Sequence, residues 1–196
     1  MIEVEKKFTL KEEDIERIIQ GVEFVNERSF TDTYFDTSDY SLTRADKWLR
    51  LRDDRFELKL PMNAGKGASQ RKLDQYEELE TEEAIRKALG LATNGSLRED
   101  LEANGYKTFS TFTTTRKKYK KGDFIIDLDV MDFGYSIGEI ELMVSEQSEM
   151  EDALNKILAF AKEQGLSVAP VRGKVIEYIK RNNLEHYKAL EEAGVL

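Results

Sequence analysis

The sequence predicts an α+β fold in which eight antiparallel strands form a barrel around a polar lumen, with helices packed outside. Three observations lead there. At least six candidate strands alternate charged and aliphatic residues, so each carries a charged face and an apolar face. Within single strands the charges at i and i+2 have like sign: Arg50 with Arg52, Asp127 with Asp129, Glu139 with Glu141. Such repulsion gives no stability unless a counter-ion or ligand lies between strands. The candidate helices carry apolar stripes whose natural partners are the aliphatic strand faces, which turns the charged faces inward. An open sheet whose polar side meets water shows the same alternation, so the pattern alone leaves both arrangements open.

The first strand, residues 1–8, opens with Glu3-x-Glu5-x-Lys7. Residues i, i+2 and i+4 of a strand share a face, about 6.6 Å apart per pair, so two carboxylates and an ammonium form a row. Ile2, Val4 and Phe8 take the other face. Thr9 and Glu12 read as a capping box for a helix running to Gly21. Strands follow at 30–36, 47–53, 55–60 and 74–80. In the second of these Trp48, Arg50 and Arg52 oppose Leu49 and Leu51; in the third Glu57 and Lys59 oppose Phe56, Leu58 and Leu60. Tyr76, Glu78 and Glu80 repeat the pattern less cleanly, and Asp53-Asp54 reads as a hairpin turn.

Residues 62–69 read as a mobile hairpin loop. Their Gly65-Lys66-Gly67 is only superficially a phosphate loop, since Gly-x-x-x-x-Gly-Lys-Ser/Thr is absent. Thr81 to Gly90 spells a short helix, and Ser96 with Glu99 caps another that ends near Gly105. Strands at 108–119, 123–130 and 135–144 carry Arg116 with Lys118, Asp127 with Asp129, and Glu139 with Glu141, and Lys121-Gly122-Asp123 is a turn. Ser148 and Glu151 open a helix striped with Met150, Leu154, Ile157, Leu158 and Ala161 and ending at Gly165. After Pro170 comes a helix with Val171, Val175, Ile176 and Ile179, then a charged helical tail over 183–196. No repeat or composition break divides the chain, so residues 1–196 read as one domain.

Composition narrows the function classes. The chain is 40% hydrophobic and 35% charged, which suits a soluble globular protein. It has no apolar run near 18 residues and no secretory pattern at its start, so neither a membrane span nor export is expected. Without cysteine there is no disulfide, thiolate zinc site or cysteine nucleophile, and a cytoplasmic monomer is the expectation. The net charge of −9 argues against a nucleic-acid partner but leaves an anionic small-molecule substrate open. The single histidine, His186, argues against a Ser-His-Asp constellation and is expected on the surface of the tail helix. Asp132-Phe133-Gly134 matches a kinase tripeptide by chance, since the glycine-rich loop and His-Arg-Asp element are missing.

The charge pattern has a chemical reading. Rows of carboxylates suit Mg²⁺ or Mn²⁺, which take oxygen ligands and retain waters. Rows of arginine and lysine suit phosphates. A lumen with both signs fits a metal–polyphosphate complex better than either ion alone.

Glu3-x-Glu5-x-Lys7, the run Thr31 to Thr37 (Thr-Asp-Thr-Tyr-Phe-Asp-Thr), Trp48-Leu49-Arg50-Leu51-Arg52 and Glu57-Leu58-Lys59 are joined by Asp127-Leu128-Asp129 and Asp132-Phe133-Gly134-Tyr135 with Gly138-Glu139-Ile140-Glu141. Together they resemble the CYTH, or triphosphate tunnel metalloenzyme, superfamily over residues 1 to about 181, with order and spacing most like its thiamine-triphosphatase branch. The resemblance implies an eight-stranded antiparallel tunnel that hydrolyses a small-molecule triphosphate with Mg²⁺ or Mn²⁺. It implies a metal site from Glu3, Glu5, Asp127 and Glu141, with Glu78 and Asp129 around it or at a second metal. Lys7, Arg50, Arg52, Lys59, Arg116, Glu139 and Lys174 are then the substrate contacts, and Lys59, Glu5 and Arg52 the catalytic set. Trp48 is the candidate for the thiazolium ring; packing under a helix is its other possible role. Phe35 departs from the family pattern, where a second tyrosine is expected. A broad inorganic or nucleoside triphosphatase, a class IV adenylyl cyclase and a non-enzymatic polyphosphate-binding module are the alternatives.

Overall fold

A computed structural model describes residues 2–62 and 76–196. Period-two alternation becomes eight strands: β1 (Ile2–Phe8), β2 (Glu23–Asp36), β3 (Trp48–Arg52), β4 (Arg55–Pro61), β5 (Tyr76–Leu79), β6 (Lys107–Lys121), β7 (Phe124–Met131) and β8 (Tyr135–Val144). They form one sheet in the order β1-β8-β7-β6-β2-β3-β4-β5, and every resolved pairing is antiparallel. β2 and β6 are longer than their periodicity suggests. The expected loop at 62–69 lies outside the described residues apart from Met62.

The described residues also form six α-helices: α1 (Glu12–Ile18), α2 (Glu82–Leu89), α3 (Leu97–Ala103), α4 (Met150–Glu163), α5 (Lys174–Asn182) and α6 (Leu184–Glu192). Thr81 caps α2 and Gly90 ends it in a left-handed conformation, while Ser96 and Glu99 form the expected reciprocal box on α3. Two expected caps are displaced. α1 begins after Lys11, whose N–H donates to the Asp14 carboxylate at 3.0 Å, so Thr9 lies outside the helix. A 3₁₀ turn over Gln147–Glu149 precedes α4, and Glu149 rather than Glu151 accepts the Ser145 and Glu146 N–H groups.

The chain divides into two compact units. The first comprises residues 1–29 and 113–177, the second 30–112 and 178–196. In the first, α4 packs on β1 and β8. Its Ala153, Ile157 and Ala161 are buried with Val4, Phe8, Ile126, Ile140 and Leu142 from the aliphatic strand faces. Leu10 packs closely over Gly138, where a Cβ would lie 2.3 Å from Leu10 Cδ1 and oblige that side chain to shift. The tight turns match the sequence: Gly122 and Gly134 adopt positive φ at the β6–β7 and β7–β8 connections. Asp132-Phe133-Gly134 is a hairpin turn whose Asp132 carboxylate accepts the Thr113 N–H.

The second unit has its own core of Phe35, Leu42, Leu49, Leu58, Ile85, Leu97 and Leu101, formed by the aliphatic faces of β2 to β4 with α2 and α3. Phe35 belongs to this core, its ring tilted by 48° against Phe56 at 5.7 Å. α6 supplies a further anchor, and here the sequence expectation for His186 fails. His186 is fully buried, stacked 3.9 Å from the Tyr40 ring with Phe109 edge-on. The charged look of the tail conceals two residues, His186 and Leu190, buried in this unit.

The hydrogen-bond order around His186 fixes its tautomer. Asp36 accepts the N–H groups of Thr37, Leu42 and Thr43 and the Thr43 hydroxyl at 2.7 to 2.9 Å. With its proton committed to Asp36, Thr43 Oγ1 accepts from His186 Nε2 at 2.7 Å. Nδ1 is left bare and without a hydrogen-bond partner. Burial pushes the imidazole down to about 4, against a smaller opposing pull from Asp36.

The unfolded chain therefore binds more protons than the native state between the ordinary imidazole value and about 4. Stability falls as pH drops through that window and levels off below it. At pH 7.5 a His186→Gln variant is expected to be less stable than wild type, and the gap should narrow towards pH 4.5. Urea unfolding midpoints across pH measure this; a pH-independent gap would contradict the buried neutral histidine.

Candidate active site

In the first unit the strand register assembles the charged faces into rows. Lys7 of β1 lies opposite Glu139 of β8, Glu139 opposite Asp127 of β7, and Asp127 opposite Lys118 of β6. One register step away, Glu5 lies opposite Glu141 and Arg116 opposite Asp129. Asp127, Asp129, Glu139 and Glu141 are all buried. Carboxylates so placed must be paired or neutralised.

Arg116 does most of the pairing. Its Nε and Nη2 donate to the two Asp129 oxygens at 2.7 Å each, Nη2 also reaches Glu139 Oε2 at 2.5 Å, and Nη1 pairs with Asp127. Its pKa is raised: burial opposes the charge, but Asp129, Glu139 and Asp127 outweigh it. Lys118 Nζ sits 2.9 Å from Asp127 Oδ2 and 3.6 Å from Glu141. Lys174, at the start of α5, pairs with Asp129 and lies 3.8 Å from Glu139. Lys7 pairs with its neighbour Glu5.

Among the described residues, six carboxylates (Glu3, Glu5, Asp127, Asp129, Glu139, Glu141) thus gather with four cations (Lys7, Arg116, Lys118, Lys174), and the two glutamates of β8 respond in opposite directions. Burial raises the Glu139 pKa, but Lys174, Lys7 and Arg116 outweigh it and hold the carboxyl low. Glu141 is pushed up to about 8 by burial, Asp127 and Glu3, only partly offset by Lys118.

The donor set fits a divalent cation. Glu3, Glu5 and Glu141 each bring an oxygen within 4.8 Å of the others, as do Asp127, Glu139 and Glu141. Asp127 Oδ1 is buried without a hydrogen bond of good geometry, although Lys118 Nζ is 2.8 Å away. Oxygen-only donors converging from β1, β7 and β8 match Mg²⁺ or Mn²⁺.

In the second unit three cations, Arg50, Arg52 and Lys59, each meet a carboxylate. Arg52 makes a two-pronged contact with Asp32 at 2.7 and 2.9 Å and lies over the Phe30 ring. Arg50 donates to Glu57 Oε2 from Nε and Nη2 at 2.8 and 2.5 Å. Its pKa is raised, burial being outweighed by Tyr34, Asp32 and Glu57. Lys59 Nζ donates to Glu78 Oε1 at 2.6 Å, and Glu78 is held low because Lys59, Arg50 and Arg52 together outweigh its partial burial. Glu78 thus pairs with Lys59; among the described residues the carboxylates that converge are Glu3, Glu5 and Glu141, and Asp127, Glu139 and Glu141. Trp48, opposite Lys59 in the β3–β4 register, lies on the charged face, away from the apolar cluster of Leu49 and Leu58.

The structure brings the sequence-derived residues together within each unit: Glu3, Glu5, Lys7, Arg116, Asp127, Asp129, Glu139, Glu141 and Lys174 in the first, Trp48, Arg50, Arg52, Lys59 and Glu78 in the second. Three participants were missed. Lys118 was noted only for parity; its like-signed spacing from Arg116 was the available clue. Asp32 shares the parity of Tyr34 and faces Arg52 across the ladder. Asp46, whose Oδ1 accepts the Trp48 indole N–H at 2.9 Å and the Tyr76 hydroxyl at 2.8 Å, sits in a turn where alternation carries no information.

Comparison with known proteins agrees with this arrangement. The CYTH domain matches residues 1–170. Thiamine-triphosphatase of Homo sapiens is 34% identical over 215 aligned positions, covering 99% of this chain and 91% of that protein. The Macaca fascicularis thiamine-triphosphatase is 33% identical with the same coverage. Among solved structures, a Pyrococcus horikoshii OT3 protein superposes with a TM-score of 0.68 at 23% identity, covering 92% of this chain and 99% of that one. The Hippeastrum protein HpAC1, described with a dominant triphosphatase activity, gives 0.61 at 16% identity, covering 94% and 98%.

Replacing Arg116 by Met removes a shared partner from three buried carboxylates at once, leaving Lys118 beside Asp127 and Lys174 beside Asp129 and Glu139. The expected loss is about 3–5 kcal/mol of unfolding free energy, the range for removing one partner of a buried pair. Urea denaturation at pH 7.5 measures it; a loss below about 1 kcal/mol, as for an exposed pair, would mean that these carboxylates do not depend on Arg116.

Proposed function

The chain belongs to the CYTH domain family, and on that premise we propose that it is a metal-dependent hydrolase converting thiamine triphosphate to thiamine diphosphate and phosphate. The observation that carries the reading is its 33–34% identity to thiamine-triphosphatases across 99% of the chain. The charge arrangement of the first unit supports it independently.

Glu3, Glu5, Asp127 and Glu141 are the groups that would hold Mg²⁺ or Mn²⁺, with Asp129 and Glu139 kept nearby by Arg116 and Lys174. A cation bound there would offset charge on the phosphate oxygens. Lys7, Arg116 and Lys174 in the first unit and Arg50, Arg52 and Lys59 in the second are the proposed donors to substrate. Each is already oriented by a carboxylate, so its side chain loses little freedom when a phosphate oxygen exchanges for that partner.

The chemical step is attack of water on the terminal phosphorus, in line with the departing thiamine diphosphate. The bond to the bridging oxygen breaks, and the leaving group keeps its electron pair. Positioning and charge stabilisation supply most of the acceleration. Lys59 and Arg52 are proposed to serve the oxygens on which charge accumulates, and Glu5 the metal and water side. Trp48 is proposed as the surface for the thiazolium ring.

One observation favours a second reading, a broad inorganic or nucleoside triphosphatase: Trp48 is only 7% exposed, which leaves little ring surface for a ligand. Phosphate release with Mg²⁺ from thiamine triphosphate, tripolyphosphate and ATP separates the two. Strong preference for the first substrate is expected; comparable rates support the second reading, and cyclic AMP formation or no turnover overturns both.

Lys59→Ala or Glu5→Gln is expected to lower kcat by about 10²-fold or more, the cost of a lost transition-state contact. Trp48→Ala is expected to weaken thiamine triphosphate hydrolysis more than tripolyphosphate hydrolysis. Mg²⁺ is expected to raise the melting temperature of wild type, and Glu141→Gln to reduce that shift. An unchanged melting temperature in millimolar Mg²⁺ would remove the metal site from the account.

A further inference from the structure

Lys118 holds the corner of the site at which Asp127 and Glu141 converge. Its Nζ lies 2.8 Å from Asp127 Oδ1, 2.9 Å from Asp127 Oδ2 and 3.6 Å from Glu141 Oε2. Asp127 and Glu141 each bring an oxygen within 4.8 Å of the other, the convergence expected of groups that would hold a divalent cation. The ammonium therefore stands among the same oxygens that a metal would use. It spans both oxygens of Asp127, so a cation bound there must share that carboxylate or take it over.

The cations around these carboxylates differ in how readily they give way. Arg116 is fixed by a two-pronged contact with Asp129, 2.7 Å on each side, and its side chain is 12% exposed. Lys174 is as enclosed, and it meets Asp129 and Glu139 rather than Asp127 and Glu141. Lys118 makes its contacts from one atom at the end of a flexible four-carbon stem, and its side chain is 26% exposed. Turning outward breaks no rigid fork, and water can receive the ammonium.

An ammonium and a divalent ion oppose one another in this corner. At about 4 Å, a single and a double positive charge repel by more than a tenfold factor in binding, even at the dielectric of water.

We propose that Lys118 is a built-in competitor of the divalent cation: it neutralises the corner formed by Asp127 and Glu141, turns outward as the metal enters, and so lowers the affinity of the site for Mg²⁺ or Mn²⁺. The proposal rests on the reading of Glu3, Glu5, Asp127 and Glu141 as the metal groups. Removing the charge has two consequences of opposite sign. The metal binds more tightly, while the metal-free protein loses stability because two buried carboxylates lose a cation. A lysine that served to orient Asp127 for the metal would instead weaken metal binding when removed.

Mn²⁺ binding to the full chain can be followed without substrate, through loss of the electron paramagnetic resonance signal of the free ion. Lys118→Gln is expected to bind Mn²⁺ about tenfold more tightly than wild type. It is also expected to unfold at a lower urea concentration without metal, and saturating Mn²⁺ should narrow that gap. Lys118→Arg, which keeps the charge, is expected to stay within about threefold of wild type. Lys117→Gln makes the same change in net charge on the opposite strand face, where Lys117 is half exposed and 3.8 Å from Glu27. It is expected to shift the affinity by no more than about twofold at physiological salt.

Unchanged or weaker Mn²⁺ binding in Lys118→Gln, with wild type binding normally, overturns the inference and leaves the metal reading standing. Equal tightening by Lys117→Gln also overturns it, since the effect then belongs to net charge. If wild type binds no Mn²⁺ in the millimolar range, the metal reading fails and the inference with it. Should Lys118→Gln not fold, Lys118→Met keeps an unbranched stem without the charge and carries the same expectations.

Discussion

Burial of like-charged carboxylates on one face of a sheet is the constraint on which the first unit depends. Asp127 and Asp129 lie two residues apart on β7, Glu139 and Glu141 two apart on β8, and all four are buried. Strand geometry forces such pairs to one side, and the aliphatic residues between them are already committed to α4. Rotating either strand by one register position would bury the charges in the apolar core and expose the core to water. The charges must therefore be answered in place. A guanidinium with a fixed fork of donors can bind several oxygens at once, as Arg116 does with Asp127, Asp129 and Glu139. Lys118 and Lys174, whose donors radiate from a single atom, each reach two carboxylates.

The two units meet this constraint differently. In the second unit each cation has its own carboxylate: Arg52 with Asp32, Arg50 with Glu57, Lys59 with Glu78. In the first unit carboxylates crowd around Glu141, whose pKa is raised by burial and by Asp127 and Glu3. Stability alone would select against that residue, since a neutral side chain of similar size would avoid the repulsion. An arrangement that costs stability where oxygens converge is more readily understood as a site prepared for a cation than as a structural device.

Much of this was legible in the sequence because alternation is a direct consequence of strand geometry. The rows on β1, β3, β4, β7 and β8, the Thr81 and Ser96 caps and the turns at Asp53 and Gly122 all follow from local patterns of two to four residues. What escaped depends on contacts between distant segments. His186 sits among charged residues on a terminal helix, and only its meeting with Tyr40 and Thr43, more than 140 positions away, reveals it as buried. The displaced caps of α1 and α4 failed for another reason. Several acidic residues cluster at each start, and more than one can accept the first free N–H groups. Asp46 lies in a turn, where neither period applies.

The segment from Asp36 to Trp48 shows how such long-range contacts can serve a site without touching a ligand. Asp36 gathers three backbone N–H groups and the Thr43 hydroxyl, so the chain is folded back on itself over seven residues. His186 then closes the remaining polar contact of Thr43 and fills the space beside Tyr40 with an aromatic ring. The order is set by proton count: Thr43 has one hydroxyl proton, Asp36 takes it, and only a neutral imidazole protonated on Nε2 can complete the chain. Protonating His186 at Nδ1 would place a cation and an unpaired N–H in a buried site, which explains its depressed pKa without any catalytic role. α6 is thereby part of what holds Asp46, and Asp46 is what orients the indole on β3.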